Sequence, residues 1–167
     1  RYSIVQMPSR VQQLLDQHKA LVFPSVYDTL SAKIVERCGF GMTFISGYSV
    51  AATAIGEPDL GLLTQTEMVE RARRICGSVA IPIIVDADTG YGNPLNVRRT
   101  VREYEQAGVA GIHIEDQLFP KKCGFFEGKQ VIPAEEMVQK VRAALDARTD
   151  PDFVVIARCD AYAVTGW

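Results

Sequence analysis

The sequence predicts an α/β fold built on a parallel sheet, and three observations carry the prediction. Short runs rich in Val and Ile alternate with helical patterns along the chain. The runs are apolar at successive positions, as strands buried on both faces are. Gly39, Gly77 and Gly108 each follow a helical stretch, where a left-handed residue closes the last turn. Repeated β-α order demands a sheet covered by helices, and two architectures satisfy it: a (β/α)8 barrel and a doubly wound open sheet. Five strands suit a flavodoxin-like sheet by number. No glycine-rich phosphate loop follows the first strand, however; Pro24-Ser25-Val26-Tyr27-Asp28 stands there.

Val11, Leu14, Leu15 and His18 recur at helical spacing and predict an opening helix over 9–18. Leu21-Val22-Phe23 predicts a first strand near 21–24. A helix over about 28–38 follows, with Leu30, Ile34 and Cys38 on its inward face. The second strand is expected near 42–46. Thr64-Gln-Thr-Glu67 reads as a capping box, with the hydroxyl and carboxylate satisfying free backbone N–H groups at a helix start. That helix runs to Cys76. Residues 81–86 form the third strand. Asn93-Pro94 is an N-cap followed by a first helical residue, and Val97, Val101 and Tyr104 form the buried stripe behind it. The fourth strand covers 111–115. Pro133-Ala-Glu-Glu opens a helix with Met137, Val138, Val141 and Leu145 inward, and the fifth strand covers 153–158.

The 167 residues suit about one domain, and the chain is read as a single one over 1–167. With 47% hydrophobic and 23% charged residues and a net charge of -2, the composition argues against disorder. The charge balance gives no basic surface for nucleic acid or an anionic membrane, and no apolar stretch approaches the roughly 20 residues of a membrane span. Cys38, Cys76, Cys123 and Cys159 lie at wide, irregular spacings without a C-x-x-C pair. Reduced thiols in a cytoplasmic protein are expected, or in an organelle if a transit peptide has been removed. Cys38 and Cys76 read as apolar fillers near helix ends.

In parallel α/β folds the site lies beyond the carboxyl ends of the strands. Here those ends read Ser46-Gly47, Asp86-Ala-Asp88, Glu115-Asp116 and Arg158-Cys-Asp160. Alternation puts Asp86 with Asp88, His113 with Glu115, and Arg158 with Asp160 on one side each. An Asp after a strand also caps the next helix, so one such residue decides nothing. Several carboxylates at one rim repel unless a cation sits among them, and oxygen-only ligands suit Mg²⁺ or Mn²⁺. Arg158 then faces an anionic substrate with a planar fork that matches a carboxylate. Ser46 and Gly47 are expected to offer backbone N–H groups.

The stretch 117–132 is long for a βα loop and rich in charge, aromatics and Gly, so it reads as a lid. Cys123 lies beside Lys121 and Lys122, which favour a thiolate able to act as acid or base. A lone loop cysteine is by itself as well explained as a bystander.

The ordered set of segments resembles the isocitrate lyase/phosphoenolpyruvate mutase superfamily over nearly the whole chain. The carrying segments are Ser46-Gly-Tyr-Ser-Val-Ala-Ala, Pro58-Asp-Leu-Gly, Val85-Asp-Ala-Asp-Thr-Gly-Tyr-Gly-Asn-Pro, His113-Ile-Glu-Asp-Gln, Pro120-Lys-Lys-Cys-Gly, Gly128-Lys-Gln-Val-Ile-Pro-Ala-Glu-Glu and Ala157-Arg-Cys-Asp-Ala. They are most similar to the plant-type carboxyvinyl-carboxyphosphonate phosphorylmutase-like members and the 2-alkylmalate and oxaloacetate lyases. The resemblance implies a (β/α)8 barrel, present here as its N-terminal five strands, that binds Mg²⁺ and acts on 2-oxo or 2-hydroxy carboxylates. By motif, Asp86, Asp88 and Glu115 match the metal-site acids, with Asp59 a nearby acid. Tyr27, Ser46, Gly47, Tyr48, Gly124 and Arg158 match the substrate-holding set. Lys121, Cys123 and Gly124 match a mobile gating loop, with Cys123, Lys121 and Arg158 as the catalytic set. Cys at this place marks the carbon–carbon lyases, whereas phosphonate mutases carry Asn.

Two positions depart from the family pattern. Phe125 stands where the lyases have His, which raises a catalytically weakened dicarboxylate-binding relative as an alternative to a lyase, beside a phosphonomutase-type enzyme. Cys159 replaces a Thr and is expected to turn away from the Arg158 side as a packing change. The resemblance further implies a dimer or tetramer of a longer chain. A barrel usually takes about 250 residues, so the chain reads as the first part of one, with a fifth helix expected to begin near Trp167 and with unpaired first and fifth strand edges.

Overall fold

A computed structural model describes residues 10–18 and 20–166. Ser9 and Trp167, on which two expected helix starts fall, lie outside the described residues. The elements in chain order are α1 (Arg10–Gln17), β1 (Ser25–Val26), α2 (Thr29–Arg37), β2 (Thr43–Ile45), α3 (Gly47–Ala54), α4 (Gln65–Cys76), β3 (Ile83–Asp86), α5 (Pro94–Ala107), β4 (Gly111–Glu115), α6 (Ala134–Ala147), β5 (Val154–Arg158) and α7 (Tyr162–Thr165).

All strand pairs are parallel, and their spatial order is β1-β2-β3-β4-β5. A doubly wound sheet reverses its order at a switch point. This sheet never reverses, so it is an arc of the barrel kind. The two faces of the arc differ. Ile45, Ile83, Val85, Ile112 and Ile114 pack outward under α2, α4, α5 and α6, in one core with Met68, Ile75, Val101 and Tyr104. The inner face carries Phe44, Ile84 and Val154, and α1 covers these with Val11 beside Met42. Further along the inner face Phe44 stacks on His113, with centroids 5.1 Å apart. Alternation then places Asp86, Glu115 and Arg158 on that same face at the carboxyl end.

Local chemistry sets the helix starts. Asp28, Thr64 and Asn93 each accept from a backbone N–H in the first turn, and each is answered by the side chain at N3, namely Ser31, Glu67 and Asn96. Gly108 ends α5 at φ 87, a left-handed value that disfavours any side chain. Gly77 closes α4 at φ -68 instead, so the expected left-handed turn is absent there.

Several expectations need correction. β1 forms at Ser25–Val26, not at 21–24; Val22 and Phe23 are exposed, and Pro24 has no N–H to donate to a ladder. In α2 the buried face is Ala32 and Val35, while Leu30, Ile34 and Cys38 are exposed. In α6 the buried positions are Lys140, Ala144 and Ala147; Met137 and Val141 pack at the margin, and Val138 and Leu145 are exposed. In both helices small Ala side chains take the closest approach, so the bulkier stripe does not mark the inward face. α3, directly after β2, has a weak polar-apolar pattern and is not expected from the sequence. Cys76 does pack against the core, and burial lifts its thiol to about 11. Cys159 lines a groove of about 660 Å³ together with Arg158 and stays exposed, so it is not a core packing residue.

Candidate active site at the carboxyl rim

The inner-face register fixes the rim. Asp86 pairs in register with His113, and Glu115 with Arg158. Asp86 Oδ1 lies 2.9 Å from His113 Nε2 and accepts the Asp88 N–H at 2.9 Å. Its other oxygen, Oδ2, accepts the Gly47 N–H at 3.4 Å. A Cβ at Gly47 would stand 2.9 Å from that oxygen, so only glycine lets α3 start this close to Asp86.

Asp88 sits just beyond β3 with φ 48, a left-handed value rare for a residue with a side chain. The turn around it is held from several sides. Its carbonyl accepts the Glu115 N–H at 2.8 Å. The Lys140 ammonium, buried on α6, donates to the Thr89 carbonyl at 3.2 Å, and Thr100 Oγ1 donates to the Gly90 carbonyl at 3.0 Å.

Lys121 joins the acids. Its Nζ lies 2.7 Å from Asp88 Oδ1 and 2.7 and 2.8 Å from the two oxygens of Asp59, with only 2% of its side chain exposed. Arg158 reaches Glu115 from β5: Nη1 is 3.1 Å from Oε2, without hydrogen-bond alignment. Its Nη2 donates to Asp160 Oδ1 at 3.1 Å. Both Glu115 oxygens are therefore buried with no hydrogen-bond partner.

The electrostatics follow from this crowding. Burial works against the Asp86 charge, but His113, Lys121 and the Asp88 N–H outweigh it and hold Asp86 below the usual carboxylate range. Burial, then the charge of Asp86, lifts Asp88 to about 6 against the pull of Lys121. Burial lifts Glu115 to about 7, with Lys121 and Arg158 opposing and Asp86 assisting. Burial alone would lower Lys121, yet Asp88, Asp86 and Asp59 raise it, so it stays an ammonium.

The loop over 117–132 lies on this rim. An antiparallel bridge between Gln117 and Val131 closes its base. Cys123 is buried, and its N–H donates to the Asp59 carbonyl at 2.9 Å. Lys122 and Lys129 donate to loop carbonyls, so with Lys121 bonded to acids the flanking ammoniums are committed to oxygens. Any side chain at Gly124 would collide with the Arg158 guanidinium. Phe125 projects into solvent, 96% exposed.

The structure thus brings Asp59, Asp86, Asp88, Glu115, Lys121, Arg158 and Gly47 together, with Cys123 and Gly124 over them. It does not free the amides of Ser46 and Gly47: Ser46 N bonds the Val26 carbonyl at 3.2 Å, and Gly47 N bonds Asp86. Ser46 Oγ caps α3 by accepting the Ser49 N–H at 3.4 Å. Tyr27 and Tyr48 lie at the surface, each more than a third exposed. Strand alternation in the sequence set His113 beside Glu115 and Asp160 beside Arg158 without giving either a role, and it left out Gln117. Among the described residues, no three His, Cys, Asp or Glu side chains already converge as metal ligands; Lys121 holds two of the acids.

The family described as phosphoenolpyruvate phosphomutase matches residues 11–166. The chain belongs to that family. It is 49% identical over 158 residues to the 2,3-dimethylmalate lyase of Eubacterium barkeri, covering 95% of this chain and 55% of that one. It is 50% identical over 158 residues to the chloroplastic carboxyvinyl-carboxyphosphonate phosphorylmutase of Arabidopsis thaliana, covering 94% and 47%. The structure superposes on oxaloacetate acetylhydrolase in complex with 3,3-difluorooxalacetate with a TM-score of 0.89 at 38% identity, covering 95% of this chain and 55% of that one. It superposes on phosphonopyruvate hydrolase in complex with oxalate and Mg²⁺ with a TM-score of 0.85 at 36% identity, covering 95% and 54%. The chain therefore spans about half the length of the relatives it matches. Family membership accords with the barrel type expected from the sequence, and the phosphoenolpyruvate phosphomutase family relatives include both lyases and mutases.

Proposed function

We propose that the full protein is a Mg²⁺-dependent carbon–carbon lyase acting on a malate-like 2-hydroxy or 2-oxo acid of the 2-alkylmalate, methylisocitrate or oxaloacetate type. The observation that carries the reading is Glu115, whose two buried oxygens find no hydrogen bond beside Asp86 and Asp88. Unpartnered buried acceptors among other acids fit a hard divalent cation. Asp86, Asp88 and Glu115 would hold it, with Asp59 close by, and a solved relative carries Mg²⁺ with oxalate. When bound, the ion supplies Lewis-acid polarisation of the substrate's 2-oxygen; Mn²⁺ suits the same donors.

The chain's own groups divide the remaining work. Arg158 binds the carboxylate next to the 2-oxygen through its guanidinium fork. The loop over 117–132 covers the rim and excludes water. With a 2-hydroxy acid, a rim carboxylate takes the 2-hydroxyl proton, and the C2 carbonyl forms as the C2–C3 bond breaks. The electron pair left on C3 takes a proton from the Cys123 thiol, which the thiolate removes in reverse. With oxaloacetate the C3–C4 bond breaks instead, CO₂ leaves and the pyruvate enolate takes the proton. Lys121 keeps Asp59 and Asp88 together and ties the loop to them. Burial of Cys123 within the loop supports a proton donor shielded from solvent.

The test is an assay of the full-length protein on oxaloacetate, a set of 2-alkylmalates and methylisocitrate, with and without EDTA. Product from at least one, lost with EDTA and restored by Mg²⁺, is the expected result. Absence of any metal-dependent product sinks the lyase reading. The family resemblance supports a homodimer or homotetramer and a cytoplasmic or organellar home. No helix among the described residues is long and apolar enough to cross a membrane.

A further inference from the structure

Gln117 is a buried side chain outside the acid cluster with three hydrogen bonds. It is 1% exposed and sits where β4 passes into the loop. Its Nε2 donates to the Lys122 carbonyl at 2.9 Å and to Asp160 Oδ2 at 2.9 Å, and its Oε1 accepts the Lys122 N–H at 3.0 Å. One amide therefore grips the loop backbone through both polar groups of Lys122. The same amide grips Asp160, whose other oxygen takes the Arg158 Nη2. The loop meets Arg158 a second time at Gly124, which leaves no room for a side chain.

We propose that Gln117 is a positioning residue that couples closure of the 117–132 loop to the orientation of the Arg158 guanidinium. With the loop down, Lys122 orients the Gln117 amide, and its N–H groups fix Asp160. Asp160 then holds Nη2, leaving Nη1 toward Glu115 and the rim. With the loop lifted, the Lys122 contacts are lost, the amide is free to rotate, and Asp160 and Arg158 lose their fixed partner. A carboxylate held by Arg158 in the fixed orientation therefore stabilises the closed loop, by the reciprocity of linked equilibria. This rests on reading Arg158 as the carboxylate clamp and the loop as a gate.

Oxalate with Mg²⁺ is the probe. Wild-type full-length protein and Gln117→Met are titrated with oxalate by calorimetry. Both are then digested with trypsin, without oxalate and at equal oxalate occupancy, reading cleavage after Lys122 and Lys129. Oxalate is expected to protect the wild-type loop. Gln117→Met is expected to bind oxalate about tenfold more weakly, the scale of one or two buried hydrogen bonds, and to stay cleavable when occupied. Equal affinity and equal protection overturn the proposal, whatever happens to the melting temperature. Gln117→Glu keeps the size and the acceptor for the Lys122 N–H but removes both donors. It is expected to behave as Gln117→Met, and wild-type behaviour would overturn the role of the donated bonds. A wild-type loop that oxalate does not protect brings down the gate reading itself, and this coupling with it.

Discussion

Lys121 and Asp88 stand 2.7 Å apart with both side chains almost sealed from solvent. The same ammonium contacts Asp59, 62 residues away in the sequence. One cation thus gathers three chain segments: the stretch before α4, the turn after β3 and the loop over the rim. Removing one partner of a buried pair leaves an uncompensated charge and typically costs about 3–5 kcal/mol. Lys121→Met is expected to lose stability on that scale, read from urea unfolding midpoints. A loss below about 1 kcal/mol would mean that water already screens the cluster.

Gly47 tests how finely α3 sets Asp86. Its φ is not in the left-handed region, so Ala fits the backbone, yet the new methyl would press on Asp86 Oδ2 at 2.9 Å. Gly47→Ala is expected to keep the circular dichroism spectrum while weakening Mn²⁺ binding about 10- to 100-fold, as displaced supporting contacts do at metal sites. Electron paramagnetic resonance titration of Mn²⁺ measures this directly. Unchanged affinity would place Asp86 outside the ligand set.

Cys123→Ser changes one atom in the loop and leaves the backbone bond to Asp59 intact. Loss of a positioned acid or base costs about 10²- to 10⁴-fold in rate. A fall of that size in turnover on the best substrate is expected, with Mn²⁺ affinity within about twofold of wild type. Parallel loss of both would show the thiol to be structural.

Phe125, where the sequence resemblance leads one to expect a His, projects into solvent. Substitutions at such sites usually change stability by less than about 0.5 kcal/mol. Phe125→His is expected to leave both melting temperature and turnover near wild type. A several-fold gain in turnover would show that the ring limits the reaction when substrate is bound.

Much of the architecture was legible because it is written in local chemistry. The Thr64–Glu67 box, the Asn93-Pro94 start and strand β4 all depend on residues within a few positions of one another. The polar residues at the strand ends were legible for the same reason, since alternation pairs Asp86 with Asp88, His113 with Glu115 and Arg158 with Asp160 within their strands. The sheet register then sets Asp86 beside His113 and Glu115 beside Arg158. The partners of Lys121 and Gln117 were not legible. Those contacts span 62 and 43 residues and depend on how the loop folds back, which no local period records. The inward faces of α2 and α6 misled for a different reason. Hydrophobicity ranks Leu and Ile above Ala, but the closest approach between layers rewards small volume.

The stacked Phe44 and His113 rings divide the inner face into two storeys. Below them Val11 on α1 packs with Met42 and Ile84; above them the charged groups begin. Such a partition separates two kinds of selection. Changes in the lower storey register as folding yield and leave the reacting groups untouched. Changes in the upper storey fall on the charged groups and, at the buried Lys121 pair, on the stability of the scaffold as well. The ring floor therefore keeps apolar packing apart from the charged groups, while the buried ion pairs tie the rim back into the fold.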